Sequence, residues 1–102
     1  MTAWNQPGEA NITTNIIKHL KKHKPCEVFK MHGSSFSRSG MPDILWLYSG
    51  RAIFIEVKRP GEDPTKLQKE MMHRLTAAGA VCYVARSTSD AKAIIKKHVK
   101  NL

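Results

Sequence analysis

Two apolar segments joined by a pair of turn residues constrain this chain more than any other feature. Ile44 to Tyr48 and Ala52 to Lys58 each have strand character, and Ser49-Gly50 between them suits a two-residue hairpin loop. If Tyr48 pairs with Arg51, the register follows: Leu47 faces Ala52, Leu45 faces Phe54, and Asp43 faces Glu56. Side chains alternate along a strand, so Lys58 shares a face with Glu56. The hairpin then sets two carboxylates opposite each other, Cβ atoms about 5 Å apart, with a lysine beside them. A slip of one residue would turn Asp43 to the other face.

Like charges in that position repel, and a sheet built only for stability would avoid them. A divalent cation removes the conflict, because Mg²⁺ takes one or two carboxylates plus water and phosphate oxygens. The alternative places both acids at solvated strand ends with Lys58 as a surface counter-ion. That suffices for Glu-x-Lys alone. It is weaker for the whole set, since Asp43 follows a Gly40-x-Pro42 turn and Glu56 ends the apolar run Ile53-Phe54-Ile55. Charge there is expensive unless it is used.

The remaining segments alternate between helical and extended patterns. Ile12, Ile16, Ile17 and Leu20 recur at helical spacing, predicting an amphipathic helix over residues 8–24 that Pro25 closes. Residues 27–31 are a short strand, and residues 33–40 (GSSFSRSG) a Ser/Gly-rich loop. The RPGEDP stretch, residues 59–64, suits neither helix nor central strand. Thr65 and Gln68 form a T-x-x-Q capping box for a helix carrying Leu67, Met71 and Leu75 and ending at Gly79. Val81 to Ala85 is a strand, and Ala91, Ile94, Ile95, His98 and Val99 mark a last helix. The order is α-β-β-β-α-β-α. The strand–helix–strand unit from Ala52 to Ala85 has the length of a parallel crossover. Residues 1–102 are expected to form a single α/β domain, a mixed β-sheet flanked by helices.

Charge narrows the partners. Lys and Arg number 17 against 8 Asp and Glu, a formal net charge of +9, which favours a polyanion such as nucleic acid. No apolar run approaches the ~18 residues of a membrane span, and residues 1–9 carry no signal-peptide pattern. Cys26 and Cys82 lack metal-type spacing, so a disulfide scaffold is not expected and a reducing cytoplasm is. His19 and His23 stand four apart, but Leu20 occupies the position where the zincin motif has Glu, and solvated histidines are the simpler account. Trp46, Met71 and Met72 are expected in the core or an interface.

At these residues the chain resembles the PD-(D/E)XK nucleases. The pattern is Pro42-Asp43 followed by Glu56-Val57-Lys58. The closer resemblance is to the VRR-NUC family, through Glu9 in the first helix, Gly40-x-Pro42-Asp43, Ile55-Glu56-Val57-Lys58 and Gln68 in the following helix. It continues through Leu75 and Ala78-Gly79 to about Arg86. The resemblance implies a restriction-endonuclease-like fold in its minimal, stand-alone form. It implies Mg²⁺ or Mn²⁺ held by Asp43, Glu56 and the Val57 carbonyl, with Glu9 contributing from the first helix. Lys58 would orient the attacking water and Gln68 would support it. Two of these residues have competing roles: Gln68 as the capping-box partner of Thr65, and Glu9 as a first-turn acid favoured by the helix dipole.

Three functions follow as expectations. The first is a structure-selective DNA endonuclease that resolves Holliday junctions, which needs two symmetric nicks and so a homodimer. The second is a flap or end-processing repair nuclease. The third is a non-catalytic nucleic-acid-binding module. Phe36, Arg38, Arg59 and Lys66 are candidate contacts to branched DNA, with no membrane and no small-molecule cofactor involved. The family's minimal members suggest a phage-encoded protein acting in a host cytoplasm.

Overall fold

The computed structural model describes residues 8–31 and 38–100. In chain order the elements are α1 (Glu9–Leu20), β1 (Cys26–Lys30), β2 (Ile44–Tyr48), β3 (Arg51–Val57), α2 (Lys66–Ala77), β4 (Val81–Ala85) and α3 (Thr88–His98). The α-β-β-β-α-β-α order is the expected one. The four strands make one sheet in the order β1-β2-β3-β4, antiparallel except for the parallel pair β3 and β4 joined through α2.

The hairpin has the expected register: Tyr48 pairs with Arg51, Leu47 with Ala52 and Leu45 with Phe54. Ser49 and Gly50 both have positive φ, 49° and 84°. That is the I′ geometry whose twist matches flanking strands, and Gly50 meets it without strain. Alternation then divides the sheet. Ile53, Ile55 and Val57 join Ile44 and Trp46 in a buried cluster with Ile12, Ile16 and Leu20 of α1 and Ala91, Ile94 and Ile95 of α3. The opposite face carries Phe54 and Glu56. There α2 packs on β4, with Met71 buried and the Cys82 thiol donating to the Met72 carbonyl at 3.6 Å. Over β1 and β2 no described element covers this face, and Phe29 is 45% and Leu47 38% exposed.

Several boundaries differ from expectation. Helix α1 stops at Leu20, a turn before Lys24, because Pro25 disfavours helical geometry in the residue before it. Strand β1 begins at Cys26 and β3 runs from Arg51 to Val57, one residue earlier at each end than expected. Helix α3 begins at Thr88, where the Ser87 hydroxyl accepts from the Asp90 N–H at 3.1 Å. Leu67, expected on the buried stripe with Met71, is 59% exposed. At this first turn of α2 the backbone of Leu67, rather than its side chain, meets the neighbouring loop at Gly40. Both cysteines are free. Among the described residues no helix is long and apolar enough to cross a membrane.

Candidate active site

The β2–β3 ladder places its last pair at Ile44 and Ile55. One step further the same register sets Asp43 opposite Glu56, as the sequence predicts. Both are buried, at 5% and 1% exposure. Asp43 is held by its own backbone and side chain. Its carbonyl accepts from Met31 N–H at 2.7 Å, and its Oδ2 accepts from Val57 N–H at 2.7 Å. Pro42, fully buried, is the next position opposite Val57 and has no N–H to give. So the ladder cannot continue there as a regular pair. The Asp43 carboxylate accepts the Val57 N–H, and Pro42 offers no backbone donor to the Val57 carbonyl.

Glu56 is left in conflict with its surroundings. Burial, and then the charge of Asp43, push its carboxyl up to about 8, while Lys58 pulls the other way. The Lys58 Nζ lies 3.7 Å from Glu56 Oε2, and the lysine is 11% exposed. Glu56 Oε1 is buried with no hydrogen-bond partner among the described residues. An orphaned, buried carboxylate oxygen beside a second carboxylate is the donor chemistry a hard divalent cation fits. Among the described residues no three His, Cys, Asp or Glu side chains gather as a ligand set. A cation here would therefore rest on two carboxylates, with oxygen donors from backbone, water and substrate for the rest.

Glu9 comes to the same place from the first turn of α1. Its carboxyl is shifted upward by burial and then by a hydrogen bond with Glu62, and it senses the charges of Lys58 and Asp43. Glu62 carries no sequence motif that marks it for the site. It lies in the loop after β3, where it accepts from Arg59 N–H at 3.1 Å and pairs with the Arg59 guanidinium at 3.2 Å. Those contacts hold its carboxyl below the usual range, while that of Glu9 lies above it. Arg86, at the end of β4, anchors this loop by donating to the Glu62 carbonyl at 3.0 and 2.8 Å and to Asp63 at 2.9 Å.

The other candidates fall into three groups. The capping box forms: Gln68 Oε1 accepts from Thr65 N–H at 2.8 Å, and the Thr65 hydroxyl accepts from Gln68 N–H at 3.2 Å. Gln68 also lines a shallow cleft with Arg38 and Gly40. Arg59 is engaged with Glu62, and Lys66 is exposed at the start of α2. Phe36 lies outside the described residues.

Comparison with known proteins agrees with this arrangement. The VRR-NUC domain model matches residues 1–89. A presumed nuclease, p44 of Acyrthosiphon pisum secondary endosymbiont phage 1, is 39% identical over 66 residues, covering 59% of this chain and 71% of that protein. A solved VRR_NUC domain superposes with a TM-score of 0.77 at 25% identity, over 89% of this chain and 97% of the other. A solved VRR_NUC domain protein has the same TM-score at 21% identity, over 93% and 90%. With the match spanning most of its length and the motif residues gathered at one end of the sheet, the chain belongs to the VRR-NUC family of nucleases.

Proposed function

We propose that the chain is a divalent-metal-dependent, structure-selective DNA endonuclease that resolves four-way junctions as a homodimer. The observation that carries the catalytic part is the buried Asp43–Glu56 pair with its unpartnered Glu56 Oε1. In this reading Asp43, Glu56 and the Val57 carbonyl hold Mg²⁺ or Mn²⁺, and Glu9 contributes through water. A bound cation supplies an acidified water and relief of negative charge at phosphorus.

The chain's own residues do the rest. Lys58, 3.7 Å from Glu56, directs its side-chain amine at the phosphate oxygens and the attacking water. Asp43 keeps the end of β3 in place through Val57 N–H. The Gln68 amide nitrogen is a donor that the cap leaves free for the water. The formal charge of +9 favours a polyanionic substrate. Two symmetric nicks in a junction need two such sites, hence a two-fold dimer.

The test is cleavage of labelled four-way junction, 5′-flap, duplex and single-stranded DNA with Mg²⁺, Mn²⁺ or EDTA, beside Asp43→Asn. Paired, metal-dependent incision of the junction, lost in the variant, is expected. Preferential flap cutting would move the function to end processing at the same site. No cutting of any substrate would leave a basic nucleic-acid-binding module.

A further inference from the structure

At the opposite end of the sheet from Asp43 and Glu56 lies a concavity of about 650 Å³ whose lining includes Tyr48, Arg51, Tyr83, Lys97, His98 and Lys100. Three separate parts of the sequence build it. The strand ends flanking the hairpin turn supply Tyr48 and Arg51, β4 supplies Tyr83, and the end of α3 with the residues just after it supplies Lys97, His98 and Lys100. Five steps of β3 separate Arg51 from Glu56, about 17 Å at ~3.3 Å per residue.

Its charge is one-sided. Among the described residues no carboxylate lines it, and Arg51, Lys97 and Lys100 make no ion pair. Basic residues at a helix C-terminus suit the helix dipole, which explains Lys97 and His98 taken alone. It does not explain Arg51, which comes from another element and faces the same group. His98 is shifted downward by burial and then by the charges of Arg51 and Lys97, so both cations lie near its imidazole.

Its framework is nevertheless ordered. The Tyr83 hydroxyl lies 2.8 Å from His98 Nε2, and Lys97 Nζ sits 5.3 Å over the Tyr83 ring. Beneath them the buried Trp46 stacks on Tyr48 at 5.0 Å and meets His98 edge-on at 6.3 Å. Basic side chains that converge from separate elements, one of them seated on an aromatic ring, are placed to receive an anion. The volume suits a phosphate with its sugar rather than a simple ion.

We propose that this concavity is a second phosphate-binding site, gripping the backbone of a substrate DNA arm away from the scissile phosphate. The inference rests on the chain acting on DNA. Arg51 and Glu56, an odd number of residues apart on β3, lie on opposite faces of the sheet, so an arm held in the concavity must pass around the end of the sheet to reach Glu56. The site therefore reads the direction in which an arm leaves the cleavage point, which is the information that separates a branched substrate from a short linear one.

The test uses the full chain in EDTA, so that binding is measured without cutting. Affinity for a four-way junction and for a long duplex is followed over a salt series for wild type, Arg51→Ala/Lys97→Ala, and Lys18→Ala/Lys22→Ala on α1 as a control for charge alone. The expected result is an affinity loss of about tenfold for the pocket variant. Its salt slope should be shallower by about two, at close to one unit for each phosphate that the protein no longer neutralises. Inorganic phosphate should also shift the His98 imidazole signals in NMR spectra of the wild type.

If the pocket variant binds no differently from the α1 control, the proposal is overturned. If phosphate shifts His98 but DNA affinity is unaltered, the concavity takes free phosphate and the DNA assignment is overturned. A protein that never cuts DNA but shows the expected binding difference would refute the nuclease mechanism and leave the pocket assignment standing.

Discussion

The carboxylate of Asp43 accepts the backbone N–H of Val57 at 2.7 Å, just beyond the last regular pair of the β2–β3 ladder. One side chain thus serves the fold and the candidate metal site together. Replacing it with alanine removes a metal ligand and also leaves a buried N–H unpaired, at a cost of about 1–3 kcal/mol. Asparagine keeps an acceptor there and removes only the charge. Asp43→Asn is therefore expected to lose nuclease activity while remaining as stable as wild type at pH 5 by chemical denaturation. Asp43→Ala should be both inactive and destabilised at that pH. Equal stability of the two variants would show that the hydrogen bond to Val57 does not hold the site.

A second prediction concerns pH in metal-free protein. Glu56 titrates at about 8 in the folded chain, against an ordinary value of 4.5. Between those values the folded state holds a proton that the unfolded chain has released. Stability from this group is then full below pH 4.5 and falls as pH rises through 8. Glu9, also shifted upward, acts in the same direction. Urea denaturation in EDTA should show a loss of a few kcal/mol from pH 5 to pH 8, order of magnitude only. Asp43→Asn should flatten that slope by relieving the repulsion. Metal binding should release close to one proton near pH 7, seen by calorimetry in buffers of different ionisation enthalpy. A flat stability profile with no proton release would mean Glu56 is already ionised.

The hairpin was readable from sequence because strand alternation and a two-residue loop leave one register, and Asp43, Glu56 and Lys58 followed from it. Glu62 was not readable. Its position depends on Arg86, 24 residues away, reaching back to the loop carbonyl, and no local pattern announces that contact. The only local hint was the i,i+3 spacing of Arg59 and Glu62, which also occurs on plain surfaces. Gln68 illustrates a different limit. The capping box was legible, but a capping glutamine and a catalytic one occupy the same position in the sequence. The basic concavity escaped because its residues come from β2, β3, β4 and the end of α3, and meet only once the sheet is assembled.

Gly40 supplies a third prediction. Its φ is +83°, and a Cβ built there would stand 2.5 Å from the Leu67 carbonyl oxygen and 2.9 Å from its carbon. Both obstacles are backbone, so neither can rotate away. Gly40→Ala should therefore destabilise the protein by roughly 1–3 kcal/mol, through left-handed strain and displacement of α2. Because the same loop leads into Pro42-Asp43, activity per folded molecule should fall as well. Thermal unfolding combined with a cleavage assay checks both. A variant of unchanged stability would mean the loop and α2 do not touch in solution.

Gln68 allows the last separation, between holding a helix and assisting the reaction. Glutamate at the same position preserves the capping box, because its carboxylate accepts from Thr65 N–H as the amide oxygen does. It cannot donate, and it brings negative charge to the cleft that Gln68 lines with Arg38 and Gly40. Gln68→Glu should therefore stay within about 0.5 kcal/mol of wild-type stability but cut DNA at least tenfold more slowly. Thr65→Ala should do the reverse, losing about 1 kcal/mol of stability through the cap with turnover per folded molecule unchanged. Measuring unfolding free energy and turnover for the two variants side by side distinguishes the roles. Full activity in Gln68→Glu would assign the residue to the cap alone and remove it from the catalytic set.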